Sequence, residues 1–113
     1  MTVLYGIKNC DSVKKAKKWL TASDVDFKFH DFRVEGLSAE KIEFWLQHVD
    51  LSLLLNKRGT TYRQLSDEIK DGINEGNVVS LFLENPTLIK RPVLETNNEV
   101  IVGFKADDYQ ARF

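Results

Sequence analysis

The chain has 113 residues, 42% of them hydrophobic and 29% charged, which predicts one domain with a core of its own. Its 16 basic and 17 acidic residues leave a net charge of -1, which excludes a strongly basic nucleic-acid binder and a polyanionic tail. A lone cysteine, Cys10, excludes an intrachain disulfide scaffold and points to a reducing, cytoplasmic compartment. With two histidines and one thiol, a closed Cys/His zinc site is not expected, nor is any other metal. Apolar stretches such as Leu51–Leu55 are too short for a membrane span or a signal sequence, so a soluble chain is expected.

Val3-Leu4-Tyr5 reads as a short buried strand, closed by Gly6 and the polar Lys8-Asn9. From Asp11 the period changes. Val13, Ala16, Lys17 and Leu20 share one helical face flanked by Trp19, and Lys14, Lys15 and Lys18 fall on the wet side, so a helix is predicted over about 11–22. Phe27, Phe29 and Phe32 around Lys28 and His30 predict a second strand. If the two strands are neighbours, they are parallel.

Ser38 is a helix N-cap, with Leu37 and Ile42 at the staple positions. Ile42, Trp45, Leu46 and Val49 then give the clearest helical period in the chain. Leu53–Leu55 continue as buried material, and Asn56-Lys57-Arg58-Gly59 is a polar loop. Thr61-Tyr62-Arg63-Gln64 fits a capping box for a short helix carrying Leu65 and Ile69, ended by Gly72. Asn74 is the expected cap of a further helix through Leu83, stopped by Asn85-Pro86. Val93–Glu95 and Val100–Val102 flank Thr96-Asn97-Asn98-Glu99, a hairpin signal because Asn tolerates positive φ. Gly103 ends the second of these strands, and one or two helical turns are expected over 107–113. The order predicts an α/β fold with a mixed four-stranded sheet and an all-helical insertion at about 37–86.

Cys10 falls between the first strand and the first helix, at the strand end where open α/β sheets bind ligands. The free N–H groups of a first helical turn favour an anion, and a thiolate is one. Lys8, Lys14 and Lys15 are near in sequence and Asp11 opposes them weakly. Such a setting lowers a thiol pKa and raises its reactivity at neutral pH. A free cysteine is also a common buried apolar residue, but the flanks here are all polar. Arg91-Pro92-Val93 places a proline at a strand start, where no N–H is needed. Arg91 at that strand's mouth can pair with an oxyanion or act as an ordinary solvated arginine. Lys57-Arg58-Gly59 is either an anion clamp or a polar loop tip. His30 and His48 read as structural or exposed.

The segments Tyr5–Ala16, Leu54–Gly59, Asn85–Val93 and Val102–Phe104 together resemble the arsenate reductase (ArsC)-like family. The match is to its branch containing Spx and YffB-type proteins, and it runs over essentially the whole chain. The resemblance implies a thioredoxin-like fold with an inserted helical subdomain, and a cis Pro92 packed beside the Cys10 loop. It implies that Cys10 is a nucleophile resolved by glutathione and glutaredoxin, with Arg58 and Arg91 binding the anion. The family's third arginine has no match in Gly103-Phe104-Lys105, which weakens arsenate as substrate. Val13 replaces the second cysteine of the Cys-x-x-Cys switch found in many Spx regulators.

The expected activity is therefore a glutathione-dependent thiol reductase acting on arsenate or a mixed disulfide. Glutathione serves as co-substrate and no cofactor is bound. Lys8, Asn9, Arg58, Arg91 and Pro92 are the expected binding residues around Cys10. The partners expected are glutathione or a small anion and glutaredoxin, with no nucleic acid, no membrane and a monomeric state. The alternatives are a redox regulator of the Spx type that binds RNA polymerase without turnover, and a domain whose thiol is inert.

Overall fold

The computed structural model describes residues 2–113. Seven helices, one 3-10 turn and four strands are found among them. They fall into two units: the residues up to Gly36 with Arg91–Phe113, and Leu37–Lys90.

The first unit holds the sheet. Strand β1 (Val3–Gly6) lies centrally in the order β2-β1-β3-β4, with β2 at Lys28–Asp31, β3 at Val93–Thr96 and β4 at Glu99–Val102. β1 and β2 are parallel, as two strands joined by a helical crossover must be when they are neighbours, and the other two pairings are antiparallel. The register sets Phe29, Leu4, Leu94 and Ile101 opposite one another across all four strands, so their side chains share one face. Helix α1 (Asp11–Ala22) contributes Val13, Ala16 and Leu20 to the core on that face, and Tyr109 joins from the last helix. Lys17, read from its period as part of the apolar face, holds its ammonium 3.5 Å from the Phe29 ring centroid, a cation–π contact that accommodates it there.

Two turns show why the chain reverses where it does. α1 ends with Val25 N–H on the Leu20 carbonyl and Asp24 N–H on that of Thr21. Asp24 takes the left-handed conformation at φ 57°, the paired geometry of a Schellman cap. The β3–β4 hairpin turns on Asn97 and Asn98, both at positive φ, as a two-residue primed turn demands. The βαβ unit followed by this hairpin is the thioredoxin-like α/β arrangement.

The second unit is all helical. Ser38 caps α2 (Ala39–His48) by accepting from Lys41 N–H, with Ile42 and Trp45 buried. Leu51–Leu54 form a separate turn, α3, because the Asp50 carboxylate recaps the chain at Ser52. The segment predicted as one helix from Thr61 divides into α4 (Thr60–Arg63) and α5 (Asp67–Asp71). Thr61 is not a cap; its hydroxyl pairs with that of Thr87 at 2.6 Å, and Ser66 caps α5 instead. Nor does Asn74 start the next helix. It forms a turn in which its Oδ1 accepts from Gly76 and Asn77 N–H, and α6 begins at Val78 and runs to Glu84. α2 packs on α6, and α6 on the 3-10 turn Pro86–Leu88. A bridge between Leu55 and Ile89 closes this unit. The final helix, α7 (Ala106–Gln110), belongs to the first unit. No helix among the described residues is long and apolar enough to cross a membrane.

Candidate active site

Cys10 is the N-cap residue of α1, with extended backbone (φ -85°, ψ 128°). Its side chain makes no capping bond. The turn before it is tight: Cys10 N–H donates to the Ile7 carbonyl at 3.1 Å, and the Cys10 carbonyl accepts from Lys14 N–H at 3.0 Å. Gly6 brings the end of β1 against α1. A Cβ on Gly6 would lie 2.5 Å from Val13 Cγ2, and Val13 is fully buried, so only glycine fits.

The thiol is half-buried, and its pKa is set by opposing effects. Burial pushes it up. The Val13 N–H, the Arg91 side chain and the Ser12 N–H beside the sulfur, together with the Arg91 charge, more than offset burial and lower the thiol pKa. The N–H groups are the free donors of the first turn of α1. Arg91 is brought there by β3, whose Val93 pairs with Tyr5 of β1. The Arg91–Pro92 peptide is cis. Pro92 is buried, and its carbonyl accepts from Gly103 N–H at 2.8 Å.

The other expected residues are placed differently. Lys8 is exposed and donates its backbone N–H to Asp31 Oδ2 at 3.2 Å. Its ammonium is not among the groups that lower the thiol, which are Val13, Ser12 and Arg91. Asn9 is exposed in the loop, and Lys14 and Lys15 face away from the core on α1. Arg58 lies in the helical unit, in a turn where its N–H donates to Asn56 Oδ1 at 3.3 Å. Phe104, where the family's third arginine is missing, packs edge-on against Tyr109 with ring centroids 4.9 Å apart. His30 is half-buried with Nε2 on the Gly36 carbonyl at 2.8 Å, and His48 Nδ1 meets the Phe44 carbonyl at 2.9 Å. One contact was not anticipated from the sequence: the Asp31 carboxylate on the thiol loop. The acidic end of β2 offers no periodic signal that would single it out.

A mixed four-stranded sheet with the lone thiol at a strand-to-helix turn and a cis Arg91–Pro92 bond leading into β3 is a thioredoxin-like arrangement. The chain belongs to the ArsC family, whose model matches residues 5–112. A solved structure described as a YffB protein is 41% identical, covers 98% of this chain and 97% of its own, and superposes with a TM-score of 0.93. An arsenate reductase-related protein from Brucella melitensis is 42% identical over 99% of this chain and 93% of its own, with a TM-score of 0.80. The global transcriptional regulator Spx of Lactiplantibacillus plantarum is 32% identical over 96% of this chain and 83% of that protein.

Proposed function

We propose that the protein is a cytoplasmic thiol-dependent oxidoreductase that uses Cys10 as nucleophile and glutathione as the external reductant. The observation that carries this reading is the half-exposed Cys10 thiol, held below the usual range by Arg91 and the N–H groups of Val13 and Ser12. In the first step the Cys10 thiolate attacks the glutathione sulfur of a glutathione mixed disulfide. A Cys10 S–S bond forms, the substrate S–S bond breaks, and the departing thiolate takes a proton from water. In the second step a glutathione thiolate attacks the sulfur bonded to Cys10. Cys10 is released as thiolate and glutathione disulfide forms. With one cysteine in the chain, the second thiol must come from another molecule.

Arg91 holds the thiolate and is placed to meet an incoming carboxylate or oxyanion. The family resemblance assigns Arg58 and Arg91 to anion binding, and Lys8 and Asn9, in the loop before Cys10, are the further binding candidates. Likeness to the Brucella melitensis protein supports an arsenate-type oxyanion as a second substrate class; Phe104 in place of an arginine weakens it.

Intact-mass measurement after incubation with oxidised glutathione tests the reading, alongside an arsenate turnover assay. A glutathione adduct on Cys10 without arsenate turnover supports the thiol reductase. Absence of any adduct overturns it. The likeness to Spx favours a second reading, a monothiol adaptor on RNA polymerase. Stable capture of purified polymerase α subunit by a protein that forms no adduct and turns nothing over would establish that reading instead.

A further inference from the structure

The loop carrying the thiol has few ties of its own. Gly6 carbonyl accepts from Phe32 N–H at 3.0 Å, and Cys10 N–H reaches back to Ile7. A further tie is a side chain. Asp31 Oδ2 accepts from Lys8 N–H at 3.2 Å while Oδ1 accepts from Arg33 N–H at 3.0 Å. One carboxylate therefore spans the thiol loop and the turn that follows β2. That turn is already braced. The Asp31 carbonyl accepts from Val34 and Glu35 N–H, and Glu35 Oε2 accepts from Asp31 N–H at 3.2 Å. The Lys8 amide is thus fastened to an anchor that is rigid without it.

We propose that Asp31 is a positioning residue for Cys10, holding the 7–10 loop so that the sulfur keeps its place at the start of α1. The proposal rests on Cys10 being the reactive thiol and adds a residue to that site. Its sign separates it from a charge effect. A carboxylate near a thiolate can only raise the thiol pKa, so if charge were its whole influence, removing Asp31 would make Cys10 more reactive. If it positions the loop, removing it makes Cys10 less reactive, because the sulfur leaves its place at the positive end of α1.

The test is the pH dependence of Cys10 alkylation by iodoacetamide in the wild type, Asp31→Asn and Asp31→Ala. Asn keeps a carbonyl acceptor without the charge; Ala keeps neither. Asp31→Ala is expected to raise the midpoint and slow alkylation at neutral pH about fivefold, with Asn recovering much of the loss. An Ala profile that coincides with the wild type, or moves to lower pH, overturns the proposal. Amide exchange in the wild-type protein decides the case if the Ala variant does not fold: a protected Lys8 N–H supports the tie, and exchange at the free-peptide rate overturns it. Alkylation reads the thiol without turnover, so Asp31 can fail while the reductase reading stands. A wild-type thiol that titrates like free cysteine overturns both.

Discussion

The Arg91 side chain donates a hydrogen bond to the Cys10 sulfur, and its charge acts on the same atom. The two residues stand at opposite ends of the chain and meet because β3 lies beside β1 with Val93 opposite Tyr5. Arg91→Ala removes both influences and leaves the backbone donors. The thiol midpoint is expected to rise, and alkylation at neutral pH to slow about tenfold. Arg91→Lys keeps the charge and loses the planar fork, so it is expected to fall between. An unchanged alkylation profile in Arg91→Ala would remove Arg91 from the thiol's surroundings.

Cys10→Ser separates chemistry from folding. Serine is a strong N-cap, and the cysteine makes no capping bond at this position. Activity is expected to vanish while stability stays equal or rises by up to about 1 kcal/mol. The comparison also has a pH signature. The folded thiol titrates below its unfolded value. Its ionisation therefore stabilises the fold fully above the unfolded value, and that contribution is lost as pH falls through the folded one. Urea unfolding of wild type and Cys10→Ser should show the difference moving in favour of wild type between slightly acidic and alkaline pH. A difference independent of pH would contradict the lowered thiol.

Gly6→Ala sets a methyl 2.5 Å from Val13 Cγ2, inside a fully buried contact. The branched, buried valine has no free rotation to yield with. A loss of about 1–3 kcal/mol is expected in chemical denaturation. Val13→Ala makes room, so the double variant should lose less than the sum of the two single ones. Strict additivity would show that the close approach is not what the glycine serves.

Tyr109 is fully buried, and its hydroxyl has no hydrogen-bond partner among the described residues. Burial pushes its pKa well above the ordinary value. The neutral form is thus favoured in the fold, a contribution fully present below the unfolded pKa of about 10 and lost as pH rises past it. Tyr109→Phe removes an unsatisfied group and keeps the ring contacts with Trp19 and Phe104. A gain of up to about 1 kcal/mol is expected near neutral pH. The alkaline fall in thermal stability should also shrink. A clear loss in the phenylalanine variant would mean the hydroxyl is satisfied in solution.

The strands, α1, α2 and the hairpin were legible in the residues because each is written locally. Val13, Ala16 and Leu20 recur at helical spacing and are buried together. Ser38 caps the helix it precedes. Asn97 and Asn98 supply the positive φ that their turn requires. Between Gly59 and Val78 the same kind of reading went astray. Several residues able to cap lie within a few positions of one another, and local pattern does not rank them. Contacts such as Thr61 with Thr87, and Asn74 with Asn77, settled which of them act.

The site divides along the same line. A lone cysteine between a strand and a helix is visible in the chain, and its reach toward the free N–H groups of α1 follows from helix geometry. That the proposed exchange cycle at Cys10 draws its second thiol from another molecule follows from the count alone. Its neighbours do not follow. Lys8, close in sequence, gives the loop a backbone N–H and leaves the thiol's charge balance to Arg91, far away in sequence. Asp31 reaches the loop only because β2 pairs in parallel with β1, setting it opposite Gly6. Hydrogen bonds and charge act over a few ångströms of space, and it is the strand order that converts distance along the chain into distance in space.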